Sequence, residues 1–204
     1  LSREARARLP QVQAVPVTGG DRLSIFAAAS DAGERIGLAI GARAYTFAEL
    51  AAITRERMSG LARETRAGIP HPVVATGTLE TVATLYGLLE MGIAALLVHP
   101  QLTASERADV AAAATRAGRL EQPGVAAILY TSGTTGEPRG AVLTRAALVA
   151  SIDASASNLG WEPDDCWALC MPIARIGGLS ILLRCLAARR GVALASAFDA
   201  QRFP

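Results

Sequence analysis

The chain has 204 residues and a formal net charge of +2, and it is 51% hydrophobic and 19% charged. This composition predicts a packed core of one large or two small domains, while the near balance of charge without a basic block argues against nucleic acid as a partner. No apolar run is long enough to cross a bilayer and no signal-peptide pattern is present, so we expect a cytoplasmic protein with no membrane partner.

The first half of the chain alternates helices with short apolar strands. The sequence predicts a marginal helix over 2–9, turns over 11–20, a helix over 23–29 and a hairpin of strands 36–40 and 43–46. Thr46 and Glu49 have the spacing of a capping box, which begins a helix that runs to about Thr65. The buried stripe of this helix is predicted to contain Phe47, Leu50, Ile53, Met58 and Leu61.

Four further elements complete this half. They are a strand over 73–76, a helix over 78–91 that ends at Gly92, a strand over 93–98 and a helix over 103–117. Because strands and helices alternate, we expect parallel βαβ units and therefore an α/β fold.

The second half is organised around the sequence YTSGTTGEPRG at residues 130–140. The apolar run 125–129 leads into it as a strand, and a helix follows from Thr144 to about Leu159. Beyond that helix we expect a strand over 166–171, an apolar helix, and from Gly191 a strand and a helix start. A strand, a glycine-rich turn and a helix are typical of a phosphate site, since glycines let the backbone approach a ligand and hydroxyls add donors.

Two other phosphate-binding patterns are excluded by their spacing. The nucleoside-triphosphatase loop requires G-x-x-x-x-G-K-[ST], but every basic residue except the two histidines is an arginine. The dinucleotide pattern G-x-G-x-x-G is also missing from the sequence. The remaining alternative is a surface turn rich in serine and threonine that binds no ligand.

Cysteines and histidines indicate no further site. The three cysteines form no C-x-x-C pair, and their odd number argues against a disulfide framework. Neither His71 nor His99 has metal-ligand spacing to a cysteine or a carboxylate, so we assign neither a role and expect no protein metal site.

The stretch 130–140 resembles the phosphate loop of the adenylate-forming superfamily, which includes acyl-CoA synthetases, luciferases and peptide-synthetase adenylation domains. The signature of that loop reads Y-T-S-G-T-T-G-x-P-K-G, and the chain matches it except that Arg139 replaces the usual lysine. Three segments before the loop, at 45–50, 85–94 and 101–106, are more weakly similar to the same superfamily and occur in its order. The stretch MPIARIGGLS at 171–180 is similar to the o-succinylbenzoate–CoA ligases of menaquinone biosynthesis.

Arg175 is a second departure, because those ligases have a histidine there, close to the bound adenylate and the acyl group. Arginine is longer, permanently charged and suited to a bidentate carboxylate contact. We expect Arg175 to point into the acyl pocket, with Gly177 and Gly178 leaving room for the substrate. The alternatives are a site of changed function and a surface arginine without a ligand.

The resemblance implies an AMP-forming acid–CoA ligase for o-succinylbenzoate or another aryl acid. A carboxylate attacks the α-phosphorus of ATP, giving an acyl-adenylate and pyrophosphate, and coenzyme A then displaces AMP. Hydroxyls, N–H groups, a cation and Mg²⁺ stabilise the phosphoryl charge. The implied catalytic residues are Arg139 and Arg175. The implied nucleotide-binding residues are Thr131, Ser132, Gly133, Thr134, Thr135, Gly136 and Gly140.

The similarity extends from about residue 24 to 203 and corresponds to the N-terminal portion of the superfamily's large domain. We divide the chain into a first α/β part at 22–120 and a part with the phosphate loop at 121–204, and we expect the C-terminal lid domain to be absent. Only 204 − 140 = 64 residues follow the loop, which is too few for the later adenine, ribose, hinge and lysine motifs.

We therefore expect this chain alone to be inactive. It would pair with a second fragment, another copy of itself or the rest of its own polypeptide. The competing hypothesis is a non-catalytic nucleotide- or partner-binding module derived from the same fold.

Overall fold

The computed structural model describes residues 21–117, 120–131 and 139–195, and only the backbone of residues 114–117, 131 and 139. Helices and strands alternate along these residues. The elements are α1 Ile25–Ala32, β1 Ile36–Ile40, β2 Arg43–Thr46, α2 Phe47–Glu64, β3 His71–Val74, α3 Leu79–Met91, β4 Ala95–Val98, α4 Ala104–Ala117, β5 Val125–Thr131, β6 Arg139–Thr144, α5 Arg145–Leu159, β7 Cys166–Leu169, α6 Ile176–Ala188 and β8 Gly191–Leu194.

The strands form two four-stranded sheets. The first sheet has the order β2-β1-β8-β7, in which β8 is parallel to β1 and to β7, and β2 is antiparallel to β1. The second has the order β3-β4-β5-β6, in which only β6 is antiparallel to its neighbour. The predicted α/β class with mainly parallel βαβ layers is confirmed. Each sheet combines strands from both sides of residue 120, and the division at 120–121 stays a prediction.

One apolar core joins the two sheets. Leu38 of β1, Leu97 of β4 and Leu182 of α6 are each at most 1% exposed and belong to the same buried cluster. The opposite face of the second sheet is covered separately, where Leu96 and Val98 pack with side chains that include Val110 of α4. Because successive residues of β4 point to opposite faces, this strand is buried on both sides.

Local capping explains where the helices begin and end. The capping box at α2 is present, since the Glu49 amide donates to Thr46 Oγ1 at 3.2 Å and the Thr46 amide donates to Glu49 Oε2 at 2.7 Å. Helix α3 ends as predicted at Gly92, whose φ of 66° is left-handed and favours glycine. The predicted stripe of α2 is correct at Phe47, Leu50 and Leu61, which are buried.

At its other two positions, the predicted buried stripe of α2 is only partly correct. Ile53 and Met58 are half-buried, whereas Ala51 and Thr54 are buried. Helix α2 packs against both α1 and α3, so its buried surface is wider than one apolar stripe.

The structure corrects several predicted boundaries. Helix α1 begins two residues later than predicted because the Ser24 side chain caps it, and it continues to Ala32. The third strand lies at 71–74 rather than 73–76, since the His71 amide already donates to the carbonyl oxygen of Ala94 at 2.8 Å. The strand predicted over 93–98 begins at Ala95, and the strand predicted over 166–171 ends at Leu169. The elements predicted within 2–20 and after β8 lie outside the described residues.

The predicted order of strand, phosphate turn and helix is wrong at one point. Strand β6 follows the turn and precedes α5, and it pairs with β5 along its whole length. Burial alone does not define this strand, since Val142 is 43% exposed. The strand forms through its backbone pairing with β5, which the local pattern does not reveal.

Arg189 fixes the connection between α6 and β8. Among the described residues other than glycine it alone has a positive φ, 55°. Its guanidinium is buried and donates to Asp31 Oδ2 at 3.0 and 3.2 Å and to the carbonyl oxygen of Arg22 at 3.2 Å. This turn is therefore attached to α1 through Asp31.

No helix in the described part of the chain has the length and apolarity needed to cross a membrane.

Leu182→Ala should destabilise the fold strongly, because Leu182 is 0% exposed within the shared core. We expect a loss of about 2–5 kcal/mol in the free energy of unfolding, measured by urea denaturation. Leu159, which is 60% exposed, provides the matched Leu→Ala control, with an expected change within about 0.5 kcal/mol. Equal losses in the two variants would contradict this description of the core.

Candidate functional site

The predicted phosphate loop connects two paired strands. Thr131 at the end of β5 pairs with Arg139 at the start of β6, and Tyr130 pairs with Gly140. The parallel strands β4 and β5 have their carboxyl ends at the same edge of the second sheet, which is where open α/β sheets bind ligands. The predicted nucleotide-binding residues Ser132, Gly133, Thr134, Thr135 and Gly136 lie outside the described residues.

Thr131 and Arg139, the two predicted site residues at the ends of the loop, are thus held in the second sheet by backbone pairing. The structure describes only their backbones, and their contacts with phosphate stay predictions. Gly140 lies within β6, where a Cβ would come within 3.2 Å of Ile128 Cγ2. A side chain at this position would crowd the neighbouring strand, so packing is one reason for the glycine.

A cleft of about 490 Å³ opens at the carboxyl edge of β4 and β5. Its walls come from the end of β4, the segment that follows it, α4, β5 and the N-terminus of α6. The apolar part of the lining consists of Leu97, Val98, Leu102, Val110, Tyr130 and Ala174. The polar part consists of His99, Gln101, Glu106, Asp109 and Arg175. An apolar cavity with a few convergent polar groups is typical of a small-molecule site.

Arg175 is brought to this cleft by the start of α6. It is the N-cap residue, and its carbonyl oxygen accepts a hydrogen bond from the Leu179 amide at 3.0 Å. Its side chain is exposed and does not cap the helix, which leaves the guanidinium available to a ligand. The structure therefore places Arg175 on a cleft wall, while the identity of this cleft as the acyl pocket stays a prediction.

Packing within the chain explains why Gly177 and Gly178 are glycines, and the sequence did not reveal this reason. A Cβ on Gly178 would lie 2.3 Å from the carbonyl oxygen of Pro172, and one on Gly177 would lie 2.9 Å from Met171 Cε. The space beside these glycines is thus filled by residues 171 and 172 of the same chain. Their predicted contact with substrate stays a prediction.

His99 is a cleft residue that sequence reasoning missed. It follows directly after β4, and its Nδ1 accepts a hydrogen bond from the Gln101 amide at 3.2 Å. The pKa of His99 is lowered below its ordinary value, mainly by partial burial and to a smaller extent by the positive charge of Arg175. The signal that could have identified it is its position immediately beyond a buried strand.

The acidic wall of the cleft is formed by α4. Glu106 accepts hydrogen bonds at its Oε2 from the Thr103 amide at 2.7 Å and from Thr103 Oγ1 at 2.8 Å, and these bonds lower the pKa of Glu106. Its carboxylate is thus engaged in capping α4. Asp109 lies one turn further along the same helix.

A second, smaller cleft of about 300 Å³ lies between α2, β3 and α3, and Arg57 and His71 are among its lining residues. It brings together none of the predicted site residues. Within residues 21–117, 120–131 and 139–195, no group of three or more histidine, cysteine or acidic side chains could hold a metal ion.

Gly178→Ala should destabilise the start of α6, since the new methyl group would overlap the carbonyl oxygen of Pro172. We expect this clash to exceed the helix-favouring effect of alanine and to lower the free energy of unfolding by about 1–3 kcal/mol. Gly77→Ala is the matched control, because a Cβ there meets nothing within 4 Å. Similar unfolding midpoints for the two variants would show that the 171–172 segment does not pack as described.

Comparison with known sequences identifies relatives of part of the chain. Residues 114–204 match the family of AMP-binding enzymes. The 2-succinylbenzoate–CoA ligases of Bacillus mycoides (strain KBAB4) and Bacillus anthracis (strain A0248) are each 45% identical over 73 residues, which cover 36% of this chain and 15% of the relative.

Solved structures extend the similarity to most of the fold. The o-succinylbenzoate coenzyme A synthetase from Bacillus subtilis in complex with AMP superimposes with a TM-score of 0.75 at 24% identity, covering 87% of this chain and 56% of that one. The same synthetase in complex with ATP and magnesium ion gives 0.74 at 25% identity, covering 87% and 58%. The complex of VinN with 3-methylaspartate gives 0.71 at 18% identity, covering 87% and 62%.

The chain spans less than two thirds of the length of these relatives. The structural matches below 25% identity show the fold, and the family model matches residues 114–204. Together they confirm that this chain is similar to the AMP-binding, adenylate-forming enzymes and, among them, to the o-succinylbenzoate–CoA ligases.

Proposed function

We propose that this chain carries the phosphate- and acid-binding part of an ATP-dependent, AMP-forming acid–CoA ligase. Its acid would be o-succinylbenzoate or another aryl acid. The observation that carries this proposal is the common location of the two predicted sites. The loop matching the phosphate signature joins β5 to β6 at the same sheet edge where Arg175 lines a cleft of about 490 Å³.

The loop residues would bind the phosphates of ATP. Thr131, Ser132, Thr134 and Thr135 offer hydroxyl donors, Gly133, Gly136 and Gly140 keep the backbone close to the nucleotide, and Arg139 adds positive charge toward the β- and γ-phosphates. The pairing of Thr131 with Arg139 supports this role, because it ties both ends of the loop together. Donors held in place before the reaction stabilise developing charge without a cost of reorganisation.

Mg²⁺ would enter this site with the nucleotide. The described residues contain no cluster of acidic, histidine or cysteine side chains that could hold it, and Mg²⁺ commonly binds through substrate phosphates and few protein ligands. When bound, the ion neutralises part of the phosphate charge.

The cleft would bind the acid. Its volume of about 490 Å³ lies within the roughly 300–1,000 Å³ that small-molecule sites occupy. Apolar side chains such as Tyr130 and Leu102 suit an aromatic ring, and Arg175 suits a carboxylate. The chain's task is to hold the acid and the nucleotide at reacting distance.

The proposed reaction has two steps. In the first, a carboxylate oxygen forms a bond to the α-phosphorus of ATP and the bond from this phosphorus to the bridging oxygen breaks, releasing pyrophosphate. In the second, the thiol of coenzyme A attacks the acyl carbon and AMP leaves. ATP and coenzyme A are intracellular substrates, which supports a cytoplasmic location as part of this proposal.

Arg139 and Arg175, which depart from the family pattern, favour a second candidate, a non-catalytic nucleotide- or partner-binding module. Acid-dependent exchange of radiolabelled pyrophosphate into ATP discriminates the two. We expect exchange from the natural full-length protein with at least one aryl acid, and no turnover from residues 1–204 alone. Nucleotide binding without exchange for any acid would favour the module.

The double variant Thr134→Ala/Thr135→Ala should lose measurable ATP·Mg²⁺ binding. Each hydrogen bond to a charged oxygen contributes about 1.5–3 kcal/mol, so two lost bonds weaken binding by roughly 10²-fold or more. Calorimetric titration measures the effect. Ser151→Ala/Ser157→Ala removes two exposed hydroxyls of α5 and should bind as the wild type does; equal affinity of all three proteins would refute the phosphate assignment.

Arg175→Leu should change which acids are activated more than it changes ATP affinity. The charge of Arg175 faces the cleft, so acids with a second anionic group should lose roughly tenfold or more in kcat/KM relative to monoacids. Arg43→Leu, at an exposed position of β2, is the matched control. An unaltered acid profile in Arg175→Leu would favour the surface-arginine alternative.

A further inference from the structure

The Arg175 cleft contains a second polar group for which the sequence analysis assigned no role. His99 reaches the cleft from the segment after β4, and Arg175 reaches it from the N-terminus of α6. An imidazole and a guanidinium from two different elements therefore line the same cleft.

The hydrogen bonding of His99 defines which of its nitrogens can contact a ligand. Since Nδ1 accepts the Gln101 amide hydrogen, the proton of the neutral ring is on Nε2. Burial and the charge of Arg175 both lower the pKa of His99, which favours the neutral ring. In that form His99 offers one N–H donor.

The charges around His99 are unevenly distributed. Among the described residues that line the cleft, the arginine is Arg175, the N-cap residue of α6, while Glu106 and Asp109 lie on α4. An anionic group would be attracted to the side of Arg175 and repelled from the α4 wall. The apolar lining between them accommodates the body of the molecule.

We propose that His99 and Arg175 together bind one anionic oxygen group of the acid substrate, with His99 as the neutral donor and Arg175 as the cation. This inference rests on the proposed function, which makes the ligand an acid, and it adds the residue that determines specificity with Arg175. The substrate class is an aryl acid with a second anionic substituent. A lone cation would bind such a group with less directional preference than a cation and a positioned donor.

Binding can be measured separately from activity. The full-length protein is labelled at histidine, and the imidazole signals of His99 and His71 are assigned by their loss in His99→Gln and His71→Gln. Benzene-1,2-dicarboxylate is then titrated, with benzoate as the monoacid control. We expect saturable shifts of the His99 signals and an increase in the pKa of His99 in the complex, because the bound anion favours the charged ring. The His71 signals should not move.

Variants test the two contacts. By calorimetry, His99→Leu and Arg175→Gln should each bind the dicarboxylate roughly tenfold or more weakly, whereas His99→Gln, which keeps an N–H donor, should retain most of the affinity. His71→Gln should bind as the wild type does. Unmoved His99 signals, or an equal loss in His99→Gln and His99→Leu, would overturn the inference.

Failure of this inference differs from failure of the proposed function. If pyrophosphate exchange occurs and the acid profile of His99→Leu equals that of the wild type, the ligase proposal stands and the role of His99 is refuted. If the dicarboxylate shifts His99 but no acid supports exchange, the anion site stands and the ligase proposal is refuted.

Discussion

The parallel pairing of β1 with β8 is the constraint on which the rest of the structure depends. It joins Leu38 to Val192 across more than 150 residues of sequence, and both side chains are 0% exposed. An isolated two-stranded hairpin such as β1–β2 is marginally stable in water. Pairing with β8 makes it part of a four-stranded sheet, and Arg189 attaches the turn before β8 to Asp31 of α1.

This pairing also positions the candidate site. Helix α6 connects β7 to β8, so anchoring β8 anchors the helix whose N-terminus carries Arg175. The phosphate loop belongs instead to the second sheet, between β5 and β6. The shared core, to which Leu97 and Leu182 both contribute, joins the sheet that carries the ends of the candidate phosphate loop to the helix that follows Arg175. A displacement of about 1 Å between reacting groups can cost about 10²-fold in rate, so the proposed chemistry requires this connection to be rigid.

Sequence reasoning identified the features that have local causes. The capping box of Thr46 and Glu49 and the left-handed Gly92 mark helix ends with nearby residues, and both were predicted correctly. Strand β6 forms by backbone pairing with β5. The order of the strands in each sheet depends on partners that are distant in sequence. Arg175 was predicted as a site residue from its place in a motif, whereas His99 becomes a candidate only because folding brings it to the same cleft. Gly178 was predicted to leave room for a ligand, and the structure shows that packing against the carbonyl oxygen of Pro172 also accounts for this glycine.

We propose that the phosphate loop and the Arg175 cleft form one site for a nucleotide and an acid. The most direct test is calorimetric titration of the full-length protein with a non-hydrolysable benzoyl-adenylate analogue, compared with AMP and benzoate. If both sites are engaged at once, the linked molecule should bind about 10²-fold or more tightly than either part. An affinity no higher than that of AMP would contradict the claim that the two sites are one.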